Sequence, residues 1–375
     1  TCPLEAANHL AKHFANTCHL PPITHSLPLQ DPLEWRQGDE EEEEEERKSV
    51  DAAAAEEPPL LPSDPSLHHA KVLSWLSEQG ANIPHRVGSD ASLHPLFDLA
   101  TLTSHLNSLQ VKAHGGDGIS TLFLQRGGEC VRKALLVLFN FSWSHGCMPL
   151  DWRSAEVLPL YKGKGSRSDP NNYRPISLTS CVVRCMEGLI HARLYPAAER
   201  LGLLSDRQFG FRHQRGTQDA LFSLTEFIKN RFHNKAKGGA PIAFLDLIKA
   251  YNRTWQAGLL YRLAQGPAGD GNSSIQGRAW GWIRAFLEGR RFRVNGANCN
   301  SAWEAIDASV PQGCILSPLL FAIFLDPLLK ELESEEFFLP IAGLPGKHLA
   351  IHSQLFADDV AIGVDTRCEG WQLAL

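Results

Sequence analysis

Three aspartates lie in apolar stretches of the sequence and are the first candidates for chemistry. Asp246 lies within "APIAFLDLIKAYN" (240–252), and Asp358 and Asp359 are adjacent within "LFADDV" (355–360). A carboxylate in an apolar environment is costly unless a cation compensates its charge, and two adjacent carboxylates also repel each other. The sequence therefore predicts that a positive charge faces these three acids.

Two interpretations of the aspartates stay open from the residues alone. Taken singly, Asp358 and Asp359 fit a hairpin turn, because Asp tolerates tight turns, and Asp246 fits the end of a strand. Taken together, three carboxylates from two strands form a site for Mg²⁺, which prefers oxygen ligands and leaves positions for substrate phosphates. A pair of such ions activates an attacking oxygen and stabilises a leaving one, which is the chemistry of nucleotidyl transfer.

The elements that must position these acids follow from apolar periodicity. Helical spacing predicts helices over 66–80, 94–110, 130–143, 182–199, 217–232, 277–290 and 317–332. Ser317 and Pro318 are expected to open the last of these as cap and first-turn residue. Strands are predicted at 155–165, at 240–252 with both faces buried, and as a hairpin over 353–364 that turns at Asp358–Asp359. Helices and strands mix without a regular βαβ rhythm, which indicates an α+β fold.

Composition indicates a soluble globular protein. The 375 residues are 43% hydrophobic and 21% charged, and no apolar run approaches a membrane span. The nine cysteines show no zinc-ligand spacing, which favours a reducing compartment without a disulfide framework. The net charge of −6 argues against nucleic-acid binding, but eight acidic residues are consecutive at 39–46, and without them the charge is +2. Such a run is typical of a solvated, disordered spacer.

Several short sequence motifs occur in a fixed order around the aspartates. They are "FLDLIKAYN" (244–252), "VPQGCILSPLLF" (310–321) and "FADD" (356–359), preceded by "HGGDGIS" (114–120), "WRSAEVLPLYKGKGSRSDPNNYRPISL" (152–178) and "RQFGFRHQRGTQDAL" (207–221). Together they resemble a reverse transcriptase, in particular the polymerase of LINE-type (non-LTR) retrotransposons, over about residues 111–363. The resemblance implies an RNA-directed DNA polymerase that adds deoxynucleotides to a primer 3′-hydroxyl by two-metal catalysis.

The resemblance also implies roles for individual residues. Asp246, Asp358 and Asp359 would be catalytic and would hold two Mg²⁺ or Mn²⁺ ions. Tyr251 would lie under the sugar and exclude a 2′-hydroxyl.

Two further groups would contact substrates. The residues implied at the incoming nucleotide are Lys162 and Arg174, which would grip the triphosphate, and Gln312 and Gly313. The basic residues implied at the template strand are Arg207, Arg212 and Arg215.

The implied fold is a right-hand polymerase with fingers and an antiparallel palm sheet flanked by helices, truncated before the thumb. The expected divisions are a low-complexity acidic region (1–65), a helical N-terminal extension (66–110), fingers (111–235) and palm (236–375). The implied partners are an RNA template, a DNA primer or target DNA, and deoxynucleoside triphosphates, with no membrane. A retroelement that primes on chromosomal DNA implies a nuclear location.

Two alternatives remain open. The first is a truncated, non-catalytic remnant that at most binds nucleic acid, favoured by Asn252 where family members usually have an acid, and by the acidic N-terminal region. The second is another two-metal polymerase, such as a viral RNA polymerase or an intron maturase. The three aspartates favour the reverse transcriptase, and Tyr251 with "PQG…LSP" argues against the RNA polymerase.

Overall fold

The structure is a computed structural model, and it describes most of the chain from residue 65 to residue 364 together with an N-terminal helix. The described residues are 3–18, 65–86, 90–233, 240–247, 249–296, 299–306, 308–333, 339–340, 348–349 and 351–364. The predicted acidic spacer at 39–46 and the C-terminal residues 365–375 lie outside these ranges.

The described residues form eleven α-helices. They are α1 (Pro3–Cys18), α2 (Pro65–Gln79), α3 (Leu99–Ser108), α4 (Thr121–Arg126), α5 (Gly128–His145), α6 (Leu150–Arg153), α7 (Cys181–Arg200), α8 (Thr217–His233), α9 (Gln256–Gln265), α10 (Gly277–Leu287) and α11 (Ser317–Glu333). Every helix predicted from periodicity is confirmed in kind, with ends that shift by a few residues. None of these helices is long and apolar enough to cross a membrane.

Within the described ranges, nine strands form three sheets. They are β1 (Ser154–Tyr161), β2 (Tyr173–Leu178), β3 (Ile242–Asp246), β4 (Arg290–Val294), β5 (Glu304–Ile306), β6 (Leu339–Pro340), β7 (His348–Leu349), β8 (Ile351–Phe356) and β9 (Asp359–Val364). The sheet orders are β2-β1-β4-β5, β3-β9-β8 and β6-β7. All strand pairs are antiparallel except β1 with β4, which run parallel. The α+β prediction is therefore confirmed.

Local chemistry fixes several helix ends. The Asp98 carboxylate accepts from Thr101 N at 2.7 Å and so caps α3, as expected for an Asp at this position. At the other end of a helix, α5 stops at Gly146, which has the left-handed φ of 56° that glycine tolerates. A Cβ at Gly146 would lie 3.2 Å from the backbone of Gly281, so this turn also lets α5 approach α10 closely.

The main core is largely helical and includes Leu355 and Val360 of the three-stranded sheet. Three fully buried tryptophan rings, those of Trp143, Trp280 and Trp282, form its largest elements. Two of the three indole nitrogens form hydrogen bonds. Trp280 Nε1 donates to Leu260 O, and Trp282 Nε1 donates to Ser142 Oγ. Burial of side chains of this size supplies most of the stabilising free energy of a domain.

A second, smaller core lies between α1 and the four-stranded sheet. Ala7, Ala11 and Phe14 of α1 pack on Val157 of β1 and Phe292 of β4, and all five are buried. The prediction that residues 1–65 are a low-complexity disordered region is therefore wrong for 3–18. The physical reason is that the alanines of α1 present a small apolar face, which is stable as a helix once a sheet covers it.

The predicted boundary between fingers and palm at residue 235 does not coincide with a division between the two larger sheets. Strands β4 and β5 lie within the predicted palm segment 236–375, but they join β1 and β2 in one sheet. Strand β3, which carries Asp246, belongs to the other sheet. The chain thus passes from one sheet to the second and back, and a single boundary in sequence cannot separate them.

The strand around Asp246 is less buried than predicted. β3 is the edge strand of its sheet, and Phe244 is 72% and Leu245 49% exposed. Val360 on the central strand β9, the cross-strand partner of Leu245, is buried at 2% exposure, and so is its other partner, Leu355 on β8, at 0%. The apolar run therefore predicted the strand correctly but predicted its burial wrongly. As an edge strand, β3 is covered by a neighbouring strand on one side and is open on the other.

The ring of His352 on β8 links pH to stability. It stacks on Phe227 of α8 with 4.7 Å between ring centroids, and burial, with a smaller contribution from Arg207, lowers its pKa from 6.5 to about 4. Between these two values the unfolded chain binds a proton that the folded protein does not, so stability falls as the pH falls through this window.

We expect the melting temperature to fall between pH 7 and pH 5, and to fall less in His352→Phe, because phenylalanine keeps the stack and has no proton to bind. Thermal melts at several pH values measure this. His233→Phe, on the exposed end of α8, is the control. An unchanged pH slope in His352→Phe contradicts the assignment.

Candidate active site

The sheet register brings the three aspartates to one place. Asp246, the last residue of β3, is the cross-strand partner of Asp359, the first residue of β9. Asp359 also pairs with Phe356 at the end of β8, so Ala357 and Asp358 form the tight turn between these strands. Ala357 has a left-handed φ of 61°. The turn therefore lies one residue earlier than the predicted Asp358–Asp359.

The electrostatics of this arrangement are unfavourable without a cation. Paired residues in an antiparallel sheet have Cα atoms about 4.5–5.5 Å apart, and like charges directly opposite each other destabilise the sheet. Asp246 and Asp359 are exposed and Asp358 is half-buried, so the prediction of three buried acids is wrong. Exposure lowers the cost of the repulsion and leaves the carboxylate oxygens accessible to a ligand.

The acids do not form a preassembled cage. Across the described ranges, no group of three or more His, Cys, Asp and Glu side chains is placed to hold a metal ion by itself. The donor set is nevertheless hard oxygen, which suits Mg²⁺ or Mn²⁺ and not a soft metal.

Tyr251 lies next to the aspartates. It begins a 3-10 turn (Tyr251–Arg253) a few residues after β3, and its ring stacks on Phe321 of α11 with 4.5 Å between centroids. Burial raises the pKa of Tyr251, and the negative charge of Asp358 raises it further. The phenol of Tyr251 therefore stays neutral beside the acids, and its ring is held in place by stacking on Phe321 of α11.

The segment that carries Gln312 and Gly313 contacts the other sheet. Ser177 N of β2 donates to Gln312 O at 2.9 Å. Gly313 has a φ of +113°, and a Cβ there would lie 2.8 Å from Ser177 O. Glycine is thus required at Gly313 for both backbone conformation and close approach. These contacts join the four-stranded sheet to the segment that leads into α11.

A buried glutamate, which the sequence analysis did not single out, forms hydrogen bonds with the segment that follows Gln312 and Gly313. Glu187 of α7 is 0% exposed, and its Oε2 accepts from Ile315 N at 2.7 Å and Leu316 N at 3.3 Å. Burial raises the pKa of Glu187, while the positive charge of Arg290 opposes that rise. The signal in the sequence was an acid inside the apolar run "VVRCMEGLI".

Glu187 replaces the cap that was predicted for α11. Ser317 is the first residue of that helix, and its hydroxyl has no hydrogen-bond partner in the described part of the chain. The backbone amides just before the helix, those of Ile315 and Leu316, donate instead to the carboxylate of Glu187, which lies on the distant helix α7. The expected capping role of Ser317 is therefore wrong.

Lys162 and Arg174 lie on the hairpin of β1 and β2 and are exposed. Lys162 Nζ donates to Asn171 O at 2.8 Å, and Arg174 is the cross-strand partner of Leu160. Lys249, which follows β3, reaches the same hairpin loop, with 3.4 Å from its Nζ to Asn171 Oδ1. Among the described residues, no hydrogen bond or ion pair joins Lys162 or Arg174 to the three aspartates.

The three arginines expected at the template differ in their surroundings. The Arg212 side chain, predicted to contact nucleic acid, is 6% exposed and forms a two-pronged ion pair with Glu199. Arg215 pairs with Asp206 at 2.6 Å and keeps 26% of its side chain exposed. Arg207 is half-buried. The half-buried carboxylate of Glu199 on α7 accounts for the burial of Arg212, and nothing in the local sequence around Arg212 indicated this pairing.

The segment 207–210 is bonded to the turn that carries Asp358. Phe209 N donates to Leu355 O at 2.8 Å, and Leu355 N donates to Arg207 O at 3.0 Å. Gln208, 0% exposed, accepts from Gly210 N at 2.9 Å and holds the segment in shape. A Cβ on Gly210 would lie 2.1 Å from Ala357 N. Sequence reasoning took this segment as a basic template contact and missed that its backbone supports the hairpin.

The site combines carboxylates on two adjacent strands with a neutral aromatic ring and a glycine turn that contacts a second sheet. This combination is typical of enzymes that polymerise nucleotides. Residues 162–374 match the family described as reverse transcriptase (RNA-dependent DNA polymerase). The match covers more than half of the chain, and the chain belongs to this family. Membership implies the fingers and palm fold, with β2-β1-β4-β5 and β3-β9-β8 as its sheets.

Relatives with curated names come from mobile elements. The chain is 30% identical over 261 residues to the probable RNA-directed DNA polymerase from transposon X-element of Drosophila melanogaster, covering 69% of this chain and 26% of the relative. It is 30% identical over 295 residues to the RNA-directed DNA polymerase from mobile element jockey of Drosophila funebris, covering 79% and 30%. The chain thus spans less than a third of the length of either relative.

We expect Gly210→Ala to displace the turn that carries Asp358, because its methyl group would overlap the backbone at Ala357. The cost in unfolding free energy is about 1–3 kcal/mol, as for other overpacked sites. Any polymerase activity should fall by about 10- to 100-fold, since small displacements of reacting groups have effects of this size. Melting and primer extension measure the two.

The matched control is Gly216→Ala in the same loop, where the nearest atom to an added Cβ is Asp219 Oδ2 at 3.8 Å. This variant should behave like the wild type. If Gly210→Ala melts and reacts like Gly216→Ala, the segment 207–210 does not position the turn.

Proposed function

We propose that this chain carries the polymerising part of an RNA-directed DNA polymerase of a non-LTR retroelement. It would extend a primer 3′-hydroxyl with deoxynucleotides on an RNA template and release pyrophosphate. The observation that carries the proposal is the cross-strand pairing of Asp246 with Asp359, with Asp358 in the adjoining turn. The names of the mobile-element relatives support the same reaction.

Two Mg²⁺ or Mn²⁺ ions are the proposed cofactors of the three aspartates. Mg²⁺ is commonly held by one or two carboxylates together with substrate phosphates, so a protein-only cage of three ligands is not required. Ions bound there would supply charge that activates the primer hydroxyl and stabilises the leaving pyrophosphate. The unrelieved repulsion between Asp246 and Asp359 supports this assignment, because a cation between them would turn the repulsion into attraction.

The cations on the fingers hairpin are proposed to bind the triphosphate. Lys162 and Arg174 are exposed, and an arginine side chain can bind two phosphate oxygens at once. Gln312 and Gly313 are proposed to lie against the nucleotide, since their segment joins β2 to α11. The positive charge and exposure of these two side chains support a phosphate ligand.

The template and primer are proposed to bind as RNA and DNA, with Arg207 and Arg215 as cationic contacts beside the turn. The chain would act in the nucleus, where target DNA serves as primer. These partners rest on the family and on the relatives, and the chain spans less than a third of the relatives.

The proposal predicts metal-dependent primer extension. On a poly(A) template with an oligo(dT) primer, deoxythymidine triphosphate and Mg²⁺ or Mn²⁺, the wild-type chain should extend the primer. Asp358→Asn should lose at least about 100-fold, because it removes a charge at the reacting phosphate. Asp270→Asn, in an exposed loop where the Asp270 carboxylate accepts hydrogen bonds from the neighbouring Asn272, is the control and should keep its activity.

A thermal melt separates a failed assay from a failed site. Without divalent metal, Asp359→Asn should melt higher than the wild type, because the cross-strand repulsion is gone. Millimolar Mn²⁺ should raise the wild-type melting temperature and leave Asp359→Asn unchanged. Absence of both extension and a metal-dependent shift contradicts the proposal and favours the non-catalytic remnant. A shift without extension keeps the metal site and contradicts catalysis by this chain alone.

Tyr251 is proposed to select deoxynucleotides. Its ring is fixed against Phe321 and held next to Asp358, so it would meet a 2′-hydroxyl on a nucleotide bound at the aspartates. Tyr251→Ala should therefore raise incorporation of ribonucleotides relative to deoxynucleotides by about 10-fold or more, which corresponds to about 1.4 kcal/mol of discrimination.

The measurement is the ratio of ribonucleotide to deoxynucleotide incorporation in the primer-extension assay. Tyr251→Phe, which keeps the ring, should retain the wild-type ratio. Equal ratios in all three proteins would show that another group makes the selection.

A further inference from the structure

Helix α5 is apolar on two opposite faces. Its inner face carries Leu135, Phe139 and Trp143, which are buried in the main core. On the outer face, Val137 is 71% and Phe141 56% exposed to solvent. A helix that is apolar all round is normally covered all round, because exposed apolar area is unfavourable in water. The outer face of α5 therefore indicates a docking surface.

The outer face has the spacing of a coiled-coil seam. Exposed residues recur there at intervals of four, three, four and three positions, namely Cys130, Ala134, Val137, Phe141 and Ser144. This is the heptad pattern by which one helix packs against another. We call these five residues the outer seam. None of the five is charged, so the outer seam suits an apolar helix and not the phosphates of a nucleic acid.

A neighbouring leucine widens the apolar surface. Phe97 N donates to Asn140 Oδ1 of α5 at 2.7 Å, and Asn140 Nδ2 donates back to Phe97 O at 2.9 Å. These bonds hold the preceding residue, Leu96, beside α5, where its side chain is 50% exposed. Several adjacent exposed apolar side chains are typical of a protein–protein contact surface.

The outer seam is complementary to itself when two copies of α5 run antiparallel. With Val137 of each copy over Ala134 of the other, the heptad spacing places Phe141 of each copy over Cys130 of the other. Each large side chain then faces a small one, which fills the interface without a void. A parallel pair would bring the two Phe141 rings together and leave a gap between the two Ala134 methyl groups.

Charge and symmetry favour the same arrangement. Glu129 and Lys133 flank the outer seam and pair with each other within one copy at 2.8 Å, so neither brings an unpaired charge to the contact. Antiparallel helices also place the negative end of one helix dipole beside the positive end of the other. A twofold axis between two copies produces this arrangement and closes the assembly at two chains.

We propose that the outer seam of α5 binds a second copy of this chain, as an antiparallel helix pair in a symmetric dimer. The 18 residues of α5 span about 27 Å, and one helix pair of this length buries an area at the low end of specific interfaces. The dimer is therefore reversible, with a dissociation constant of about 10 μM. The inference does not depend on the proposed reaction, because the outer seam contains none of the residues assigned to it.

Sedimentation equilibrium of the full chain, from about 1 to about 100 μM, tests the dimer. The wild type should change from monomer to dimer over this range. Val137→Glu should weaken the dimer at least about tenfold, because it places a carboxylate without a partner in an apolar contact. Phe222→Glu adds the same charge at a 67% exposed ring on α8 and should dimerise like the wild type. Thermal melts verify that each protein is folded.

Opposite charges at one position test whether α5 pairs with itself. In the antiparallel pair, the two side chains at position 137 lie next to the twofold axis, about one helical turn apart. Val137→Lys should therefore be as weak a dimer as Val137→Glu, because like charges meet. An equimolar mixture of these two variants should associate at least about tenfold more tightly than either alone. A mixture that associates no better overturns the self-pairing of α5.

Disulfide formation tests the orientation. On oxidation with copper phenanthroline, Phe141→Cys should form a linked dimer, because the new thiol faces Cys130 of the other copy. The double variant Phe141→Cys with Cys130→Ser should not. In the wild type, the two Cys130 residues of an antiparallel pair are about 16 Å apart along the helix axis, beyond the roughly 4.4–6.8 Å between Cα atoms that a disulfide spans. A wild-type dimer linked through Cys130 would overturn the antiparallel arrangement.

The outcomes leave the polymerase proposal separate. If the wild type stays monomeric up to about 100 μM, the outer seam does not bind a second copy and the inference is wrong. If the wild type dimerises and Val137→Glu dimerises equally well, another surface makes the contact and the inference is again wrong. Neither result changes the expected primer extension, which is measured at the aspartates.

Discussion

Asp246 and Asp359 face each other across adjacent antiparallel strands, and the surrounding structure holds this unfavourable contact in place. A hairpin with two like charges at its end would relax by fraying or by slipping its register. Here Leu355 and Val360, one residue behind the charges, are anchored in the main core. A slip by one residue would expose them and bury polar neighbours, so burial of these two residues fixes the register against the repulsion.

The same logic applies at the nucleotide-binding segment, where the buried polar groups come from distant parts of the chain. Glu187 on α7 holds the amides ahead of α11, and Arg290 at the start of β4 compensates its charge. Removing one member of such a buried pair leaves the other unpaired, which costs about 3–5 kcal/mol in measured cases. The segment with Gln312 and Gly313 is therefore held by helix α7, strand β2 and Arg290 of β4, and not by its own sequence alone.

Local patterns in the sequence predicted most elements and the identity of the site. Apolar spacing found the long helices, and the order of short motifs brought Asp246 together with Asp358 and Asp359. What failed was whatever depends on a partner far away in sequence. The exposure of β3 depends on which strands flank it, and the ion pair of Arg212 depends on Glu199 in another helix. Residues 3–18 are stable as the helix α1 because its small apolar face is covered by the four-stranded sheet. None of these can be deduced from a window of neighbouring residues.

The parallel pairing of β1 with β4 has a consequence for how the protein is made. Glu156 and Arg293, partners in this pairing, are 137 positions apart, and the strand with Asp246 lies between them in sequence. A ribosome therefore releases α1, β1 and β2 long before β4 exists to complete their sheet. Until then the apolar face of α1 lacks half of its contact surface, and loop closure over this distance slows folding. Neither of the two larger sheets can be completed until the strands that follow β3 in sequence have emerged, and until then the nascent chain is exposed to misassembly.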